Sequence, residues 1–568
     1  MQNDNMTYQI NQANVAQAQP DYAAFREECR DPFGTNEKLL LTILRDNKDT
    51  EYGRRYDFEH ITSYEEYREK VPVITYHNIA GDIDRMLDGE KNILTAYPFN
   101  HMNVTSGTIG KPKFVPLTDR QTQIFLKYNK HYMDAFYADK LGDAWMNGHI
   151  FCTAEGTHTT VHSGITIGSA TSKMAEYVQG GPDGLDTMLR TLYTSPVEAT
   201  IPVHGTDVKY LHTRFALADG GVTGIVTGFF ILLVQYLRYI AENYEMLIHD
   251  IETGTIDERV DLPREVRASL LRKISPMPER AAQLREIFKN GSGFRFVKAV
   301  WPEMQFIFGV GGDGFSVYAD TIRRLYADES VRFILSGVTS SEGLWSVPVE
   351  LESEDASLAP GSAFMEFLPE DAGDDFTKCV SIDKLEPGRI YELIITNVCG
   401  LYRYRMSDAL LVTGFFEKTP RVRFMYRVNK TINLVSEKTT EKALQQAVEK
   451  AAAELGFELS DYTVYPDADS TPPGYTFLIQ PTLPVKGISE EQLAATLNKY
   501  TCEANAVYER CIQYHSMRCA DAFWLQPQAT FLWRELQIAK GKSASQIKPV
   551  RTISNEDERK FFFIMRER

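Results

Sequence analysis

The sequence predicts a mixed α/β protein with a large N-terminal domain of sheets flanked by helices and a small α+β domain at the C-terminal end. Three observations carry this. The chain has 568 residues, more than one hydrophobic core normally serves, so two or three domains are expected. From residue 294 short apolar runs recur at 294–300, 304–310, 331–338, 391–397, 409–416 and 421–428, which read as strands separated by turns and helices. Composition shifts again near 427–433, and the residues beyond read helix, strand, strand, helix, a small α+β unit. The expected division is a tail over 1–30, flexible over its first twenty residues, a large domain over 31–430 and a small domain over 431–568.

The elements come in order along the chain. A helix is expected over 35–47. Ser63 and Glu66 (S-x-x-E) form a capping box that opens a second helix. Residues 71–74 read as a short strand, 119–137 as a long polar-aromatic helical stretch, and 148–153 as a buried strand. Residues 222–237 are the most apolar stretch. They are too short to span a bilayer comfortably and contain Gln235, so they read as a buried helix. In the small domain Ala443, Leu444, Ala447, Val448, Ala451 and Leu455 form a helical stripe that Gly456 stops. Strands are expected at 462–465 and 475–479. A helix starts at Ser489, with Gln492 completing its capping box and Ile488 and Leu493 as its staple.

Composition narrows the function. Net charge is -16, which argues against nucleic acid or anionic membrane as the main partner. A polyanionic ligand then needs a local positive site. The seven cysteines include no CxxC pair, so neither a disulfide framework nor a zinc site is expected. The polar N-terminus lacks an apolar signal region, and a cytoplasmic location is expected. His158 and His162 stand four apart, a metal-ligand spacing on a helix. The surrounding Gly and Thr residues argue against a helix, and no third ligand is evident.

Five segments carry possible chemistry. The first is 103–118, NVTSGTIGKPKFVPLT. Its glycines admit close backbone approach, successive N–H groups in such a turn bind anions, and Thr105, Ser106 and Thr108 add hydroxyls beside Lys111 and Lys113. It is not a Walker loop, because its glycines are three apart and Pro112 follows the lysine. The second is VTSSEG at 338–343, directly after an apolar strand. Its hydroxyls and Glu342 suit a magnesium–phosphate site, or else a capped strand-to-helix turn. The third is GLYRYRMSD at 400–408. Alternation puts Arg403 and Arg405 on one strand face and Tyr402 and Tyr404 on the other, with Asp408 suited to ribose hydroxyls or to an arginine. The fourth, 427–441, holds Lys438. The fifth, QIKPVR at 546–551, holds Lys548. The glycine turn at 309–314 is a ligand contact or a tight structural turn.

In their order these segments resemble the GH3 family of acyl-acid–amido synthetases, a branch of the adenylate-forming, firefly-luciferase-like enzymes. The likeness lies in DTEYGRRYDFEHITSYEEYREKVPVITY (49–76), TSGTIGKPKFVP (105–116), VWPEMQF (300–306), TSSEG (339–343), FMEFLP (364–369), TNVCGLYRYRMSD (396–408), EKTTE (437–441) and QIKPVR (546–551). Ser407 stands where such a motif usually has Gly. The resemblance implies a large adenylation domain with sheets and a β-barrel-like part, and a small mobile C-terminal domain. It implies ATP and Mg2+, a small carboxylic acid and an amine or amino acid acceptor, with no nucleic acid or membrane partner. By the same resemblance Thr105, Ser106, Gly107 and Thr108 cradle phosphates, Glu342 holds Mg2+ with Thr339 and Ser341 nearby, Asp408 binds ribose, and Lys438 and Lys548 contact the adenylate. Lys548, Glu342 and Thr108 are the implied catalytic groups. An acyl-CoA or thioester-forming synthetase shares the adenylation half, and a non-catalytic nucleotide-binding regulatory relative is the alternative from another class.

Overall fold

The structure is a computed structural model that describes residues 4–105, 113–156, 158–168, 189–310, 316–428, 432, 434, 435, 437, 439–540 and 547–567. The chain forms two compact units. The first comprises Met1–Val104, Phe114–Met406 and Leu411–Arg423, the second Thr105–Lys113, Ser407–Leu410 and Phe424–Arg568.

At the centre of the first unit is a parallel sheet in the order His149–Cys152, Val222–Phe229, Phe306–Val310, Arg332–Leu335. Its strands are short apolar runs because helices cover them. The helices Val208–Ala218, Phe230–Thr253, Pro278–Ile287 and Ser316–Leu325 supply that cover, and their apolar faces join the same core cluster. A second sheet runs Lys113–Thr118, Phe99–Thr105, Thr166–Gly168, His158–Thr160. Where the resemblance implies a barrel-like part, the structure has a seven-stranded sheet. Its order is Ser346–Pro348, Ala356–Leu358, Thr419–Arg427, Tyr404–Phe416, Ile390–Thr396, Phe364–Pro369, Val380–Ser381.

In the second unit the strand Gly474–Pro481 pairs antiparallel with Leu459–Asp467 and parallel with Asp521–Trp524. Side chains alternate across a strand. Tyr475, Phe477 and Ile479 enter one core with Leu444, Val448, Leu493 and Tyr508, while Leu478 enters another with Trp533 and Phe562. The expected helix forms at Glu441–Leu455, and Gly456 ends it with φ 74. Both halves of the Ser489–Gln492 capping box are made. Among the described residues of this unit, three further helices and the third strand carried no sequence expectation.

Several expectations are corrected. The tail is a helix, Asp4–Arg30. Thr7, Asn11, Val15, Ala18, Phe25 and Cys29 are buried at helical spacing, a stripe concealed by its polar and small members. The apolar run at 222–237 is not one helix. It divides into the strand Val222–Phe229 and the helix Phe230–Thr253. Its first half is β-branched and glycine-rich, and a side chain at Gly224 would stand 2.5 Å from the Phe306 ring. The 294–300 segment holds a single helical turn, Val297–Val300, rather than a strand. Phe296, Val297, Val300 and Trp301 are buried at i, i+1, i+4 and i+5. Residues 71–74 contribute only an isolated bridge from Ile74 to Tyr404, since Pro72 has no N–H to give. The 119–137 stretch is helical as expected, with a π-helical segment, Leu126–His131, between Asp119–Phe125 and Tyr132–Leu141.

All seven cysteines are free. Among the described residues no helix is long and apolar enough to cross a membrane, and no group of three His, Cys, Asp or Glu side chains is placed to hold a metal. His162 lies against Asp88, 3.4 Å away.

Candidate active site

The strand Phe99–Thr105 leads into the first segment and Lys113–Thr118 leads out. Ser106, Gly107, Thr108 and Lys111 lie outside the described residues, as does the Thr105 side chain. Asn103 pairs in register with Gly168 on the parallel neighbour. After the loop, Phe114 N–H donates to the Tyr76 hydroxyl at 3.0 Å. Thr118 then caps the next helix by accepting from Gln121 N–H.

The second segment is a β-hairpin rather than a strand-to-helix turn. Ser340 pairs with Gly343 and Thr339 with Leu344, so Ser341 and Glu342 are a two-residue tip. Thr339 sits one pair down and is exposed. Gly343 is required here, because a side chain would stand 2.7 Å from the Trp345 ring. The tip is bonded to the strand that enters the first segment. Ser341 Oγ donates to the Val104 carbonyl at 3.3 Å, and Asn103 Nδ2 donates to the Ser341 carbonyl at 2.9 Å. From the other side Asn397 Nδ2 donates to the Glu342 carbonyl at 2.8 Å.

Glu342 is 8% exposed, and no described residue donates a hydrogen bond to its carboxylate. Its oxygens are not among the sealed, unpartnered side-chain atoms of the described residues, so the carboxylate keeps an open side. The nearby Cys399 thiol does not compete for charge, because burial pushes it up to about 12 and keeps it neutral. The donor set is therefore a lone carboxylate oxygen pair beside hydroxyls. Mg2+ takes such sites, held by one or two carboxylates and the substrate's phosphates rather than by a closed protein cage. The residues present fit that ion.

The third segment divides into two roles. Arg403 is not a free cation on a strand face. Its guanidinium bonds Glu366 and the carbonyls of Arg68 and Val71. Arg405 pairs with Glu392 and Asp374. Both arginines are structural. Asp408 is 3% exposed. Arg427 Nε donates to its Oδ1 at 2.7 Å, a partner that residue types alone did not assign. Ser407 beside it has φ 60, the left-handed region in which glycine carries no Cβ penalty.

Lys438 lies outside the described residues. Lys548 is exposed and lies in the second unit. Three residues on, Arg551 bonds Asp461 and the Tyr462 carbonyl, and Val464 N–H donates to the Arg551 carbonyl. The structure thus joins the first and second segments through Asn103, Val104 and Ser341. Asp408 and Lys548 belong to the second unit. Sequence reading missed Asn103, Asn397 and Arg427. Each stands inside or beside a quoted segment, but none has a residue type that marks a role.

Comparisons with known proteins place the chain in a family. Profiles of the GH3 family N-terminal, central and C-terminal domains match residues 21–331, 356–427 and 442–557. An indole-3-acetic acid-amido synthetase, GH3.4 of Arabidopsis thaliana, is 27% identical over 93% of this chain and 90% of its own length. A 4-substituted benzoates-glutamate ligase of the same plant, GH3.12, is 27% identical over 78% of each chain. The jasmonoyl–L-amino acid synthetase JAR6 of Nicotiana attenuata is 26% identical over 79% of each. Among solved structures, the GH3.15 acyl acid amido synthetase superposes with a TM-score of 0.82 at 21% identity, covering 95% of both chains. The fold is theirs, and the chain belongs to the GH3 family.

Proposed function

We propose that this protein is an ATP-dependent ligase that joins a small carboxylic acid to an amine, most simply an amino acid, through an acyl-adenylate. Family membership supports the class, and relatives are named as amido synthetases for indole-3-acetic acid and as a jasmonoyl–amino acid synthetase. The observation in this chain that carries the reading is Glu342. It is a buried carboxylate with no donor among the described residues, at the tip of a hairpin bonded to the strand that enters the glycine–hydroxyl loop.

A carboxylate is a poor electrophile, and the first half-reaction corrects this. An oxygen of the acid attacks the α-phosphorus of ATP, the bond to the pyrophosphate oxygen breaks, and acyl-AMP forms. In the second half the amine nitrogen attacks the acyl carbon. The acyl–oxygen bond breaks, AMP leaves and the nitrogen gives up a proton. Both barriers fall chiefly by positioning and by neutralising phosphate charge.

The residues divide that work. Thr105, Ser106, Gly107 and Thr108 cradle phosphates with main-chain N–H groups and hydroxyls. Glu342 holds Mg2+, with Thr339 and Ser341 beside it. The ion supplies charge neutralisation to the phosphate oxygens when bound. Asp408 accepts from ribose hydroxyls, and Lys438 and Lys548 neutralise the adenylate phosphate.

The test is product analysis. With ATP, Mg2+ and an accepted acid, the protein should release AMP and form an amide when amino acids are offered. Thioester formation with coenzyme A, and none with any amine, would contradict the acceptor. ATP binding without turnover on a broad acid panel would contradict the enzyme.

A further inference from the structure

We propose that Asn103 and Asn397 are a pair of positioning residues that set the place of the Glu342 carboxylate. The inference deepens the ligase reading and rests on it only for its activity arm.

The two-residue hairpin tip closes on the Ser340–Gly343 pair, so the carbonyls of Ser341 and Glu342 are outside the ladder. Buried carbonyls need donors. Each receives one from a different asparagine: Ser341 from Asn103 at 2.9 Å and Glu342 from Asn397 at 2.8 Å. The two asparagines are 5% and 1% exposed, so water does not compete for these bonds.

Asn397 is itself fixed. Its Oδ1 accepts from Cys399 N–H at 3.0 Å and Leu401 N–H at 3.3 Å. Two donors on the oxygen leave the amide end only one orientation, which is towards Glu342. The Asn397 main chain also closes its own loop, donating to the Leu401 carbonyl at 2.9 Å. Asn103 is held by strand pairing with Gly168. Its Oδ1 has no partner among the described residues, so Asn103 is bonded at one end where Asn397 is bonded at both.

The Glu342 side chain has no donor among the described residues to hold it, so its position depends on its main chain, and its main chain on these two amides. Neither asparagine needs to touch the substrate. Partners that orient metal-binding groups typically cost 10- to 100-fold in metal affinity or activity when removed.

The experiment uses the full chain and Asn397→Asp. That substitution keeps the oxygen that closes the 397–401 loop, and it replaces the donor to Glu342 by a second oxygen. Asn103→Ala attacks the clamp from the other side and serves if the first variant does not fold. Two readouts are taken on protein that melts like wild type. The first is Mn2+ affinity in the presence of a non-hydrolysable ATP analogue, followed by the Mn2+ paramagnetic signal. The second is the Mg2+ half-saturation of acid-dependent ATP–pyrophosphate exchange, with the KM for the acid as reference.

The expected result is at least a tenfold loss of Mn2+ affinity and a tenfold rise in Mg2+ half-saturation for Asn397→Asp. Asn103→Ala should show a smaller change in the same direction, and the KM for the acid should stay within twofold. Folded variants with wild-type values of both metal readouts would overturn the inference. A drop in Mn2+ affinity in a protein that shows no exchange with any acid would uphold the clamp and contradict the ligase reading instead.

Discussion

Arg403 and Glu366 face each other through two parallel hydrogen bonds of 2.9 Å, with side chains 4% and 1% exposed. Tyr64 donates to the same carboxylate at 3.2 Å. This cation is committed to the sheet and not to a nucleotide. Breaking a buried pair leaves an uncompensated charge, which typically costs about 3–5 kcal/mol. Glu366→Ala should therefore lower the urea unfolding free energy by that amount. Arg403→Met with Glu366→Leu should regain most of it. A single variant within about 1 kcal/mol of wild type would show that the pair does not hold the sheet.

Ser407 takes φ 60 at the position where the resembling motif carries glycine. A Cβ in that region costs about 1–2 kcal/mol, and glycine's own flexibility returns part of the gain. Ser407→Gly should leave the melting temperature unchanged or slightly raised. Ser407→Val, with a β-branched side chain unsuited to positive φ, should lower it clearly. Equal melting of the two variants would contradict the strained turn.

His212 sits in the core of the first unit, with Nδ1 2.6 Å from Ser195 Oγ. Its Nε2 has no partner among the described residues. Burial depresses it from its usual value to about 3. The folded state holds the ring neutral, while the unfolded chain takes a proton below about pH 6.5. The stabilisation is thus complete above that pH and is lost progressively as pH falls towards 3, by about 1.4 kcal/mol per unit. Denaturant titrations should show about 2 kcal/mol less stability at pH 5 than at pH 6.5 from this group, and His212→Asn should lack that increment. An identical pH slope in the variant would place the acid sensitivity elsewhere.

The N-terminal helix belongs to the core rather than to a tail. Phe25 stacks edge-on against Tyr132 at 4.9 Å and Tyr128 at 6.2 Å, and Asn11 donates to the Met146 carbonyl at 3.0 Å. Phe25→Ala should cost about 3–5 kcal/mol, the usual range for emptying a buried aromatic site. A loss under about 1 kcal/mol would mean the helix is not packed as described.

Much of this was legible in the sequence where local chemistry and pattern agree. The Glu441–Leu455 helix announced itself by its stripe and its glycine stop, and the Ser489 cap by its partner Gln492. The apolar run at 222–237 was not legible, because an unbroken apolar stretch carries no period to separate a strand from a helix. The first helix was missed because its buried face is built from Thr7, Asn11, Ala18 and Cys29 as much as from Phe25. At the candidate site the charged residues stood out and the clamp did not. Arg403 and Arg405 drew attention by charge but are paired within the sheet. Asn103 and Asn397 gain meaning only when the fold brings them to one hairpin tip.

The central claim is that Glu342 serves an acid-activating nucleotide site. Acid-dependent ATP–pyrophosphate exchange tests it most directly, run across aromatic, indole and aliphatic carboxylic acids with Glu342→Ala beside the wild type. Exchange should require a particular acid class and fall by about 10²–10³ in the variant, which still melts like the wild type. Exchange that survives intact in Glu342→Ala, or a nucleotide-binding wild type that exchanges with no acid, would contradict it.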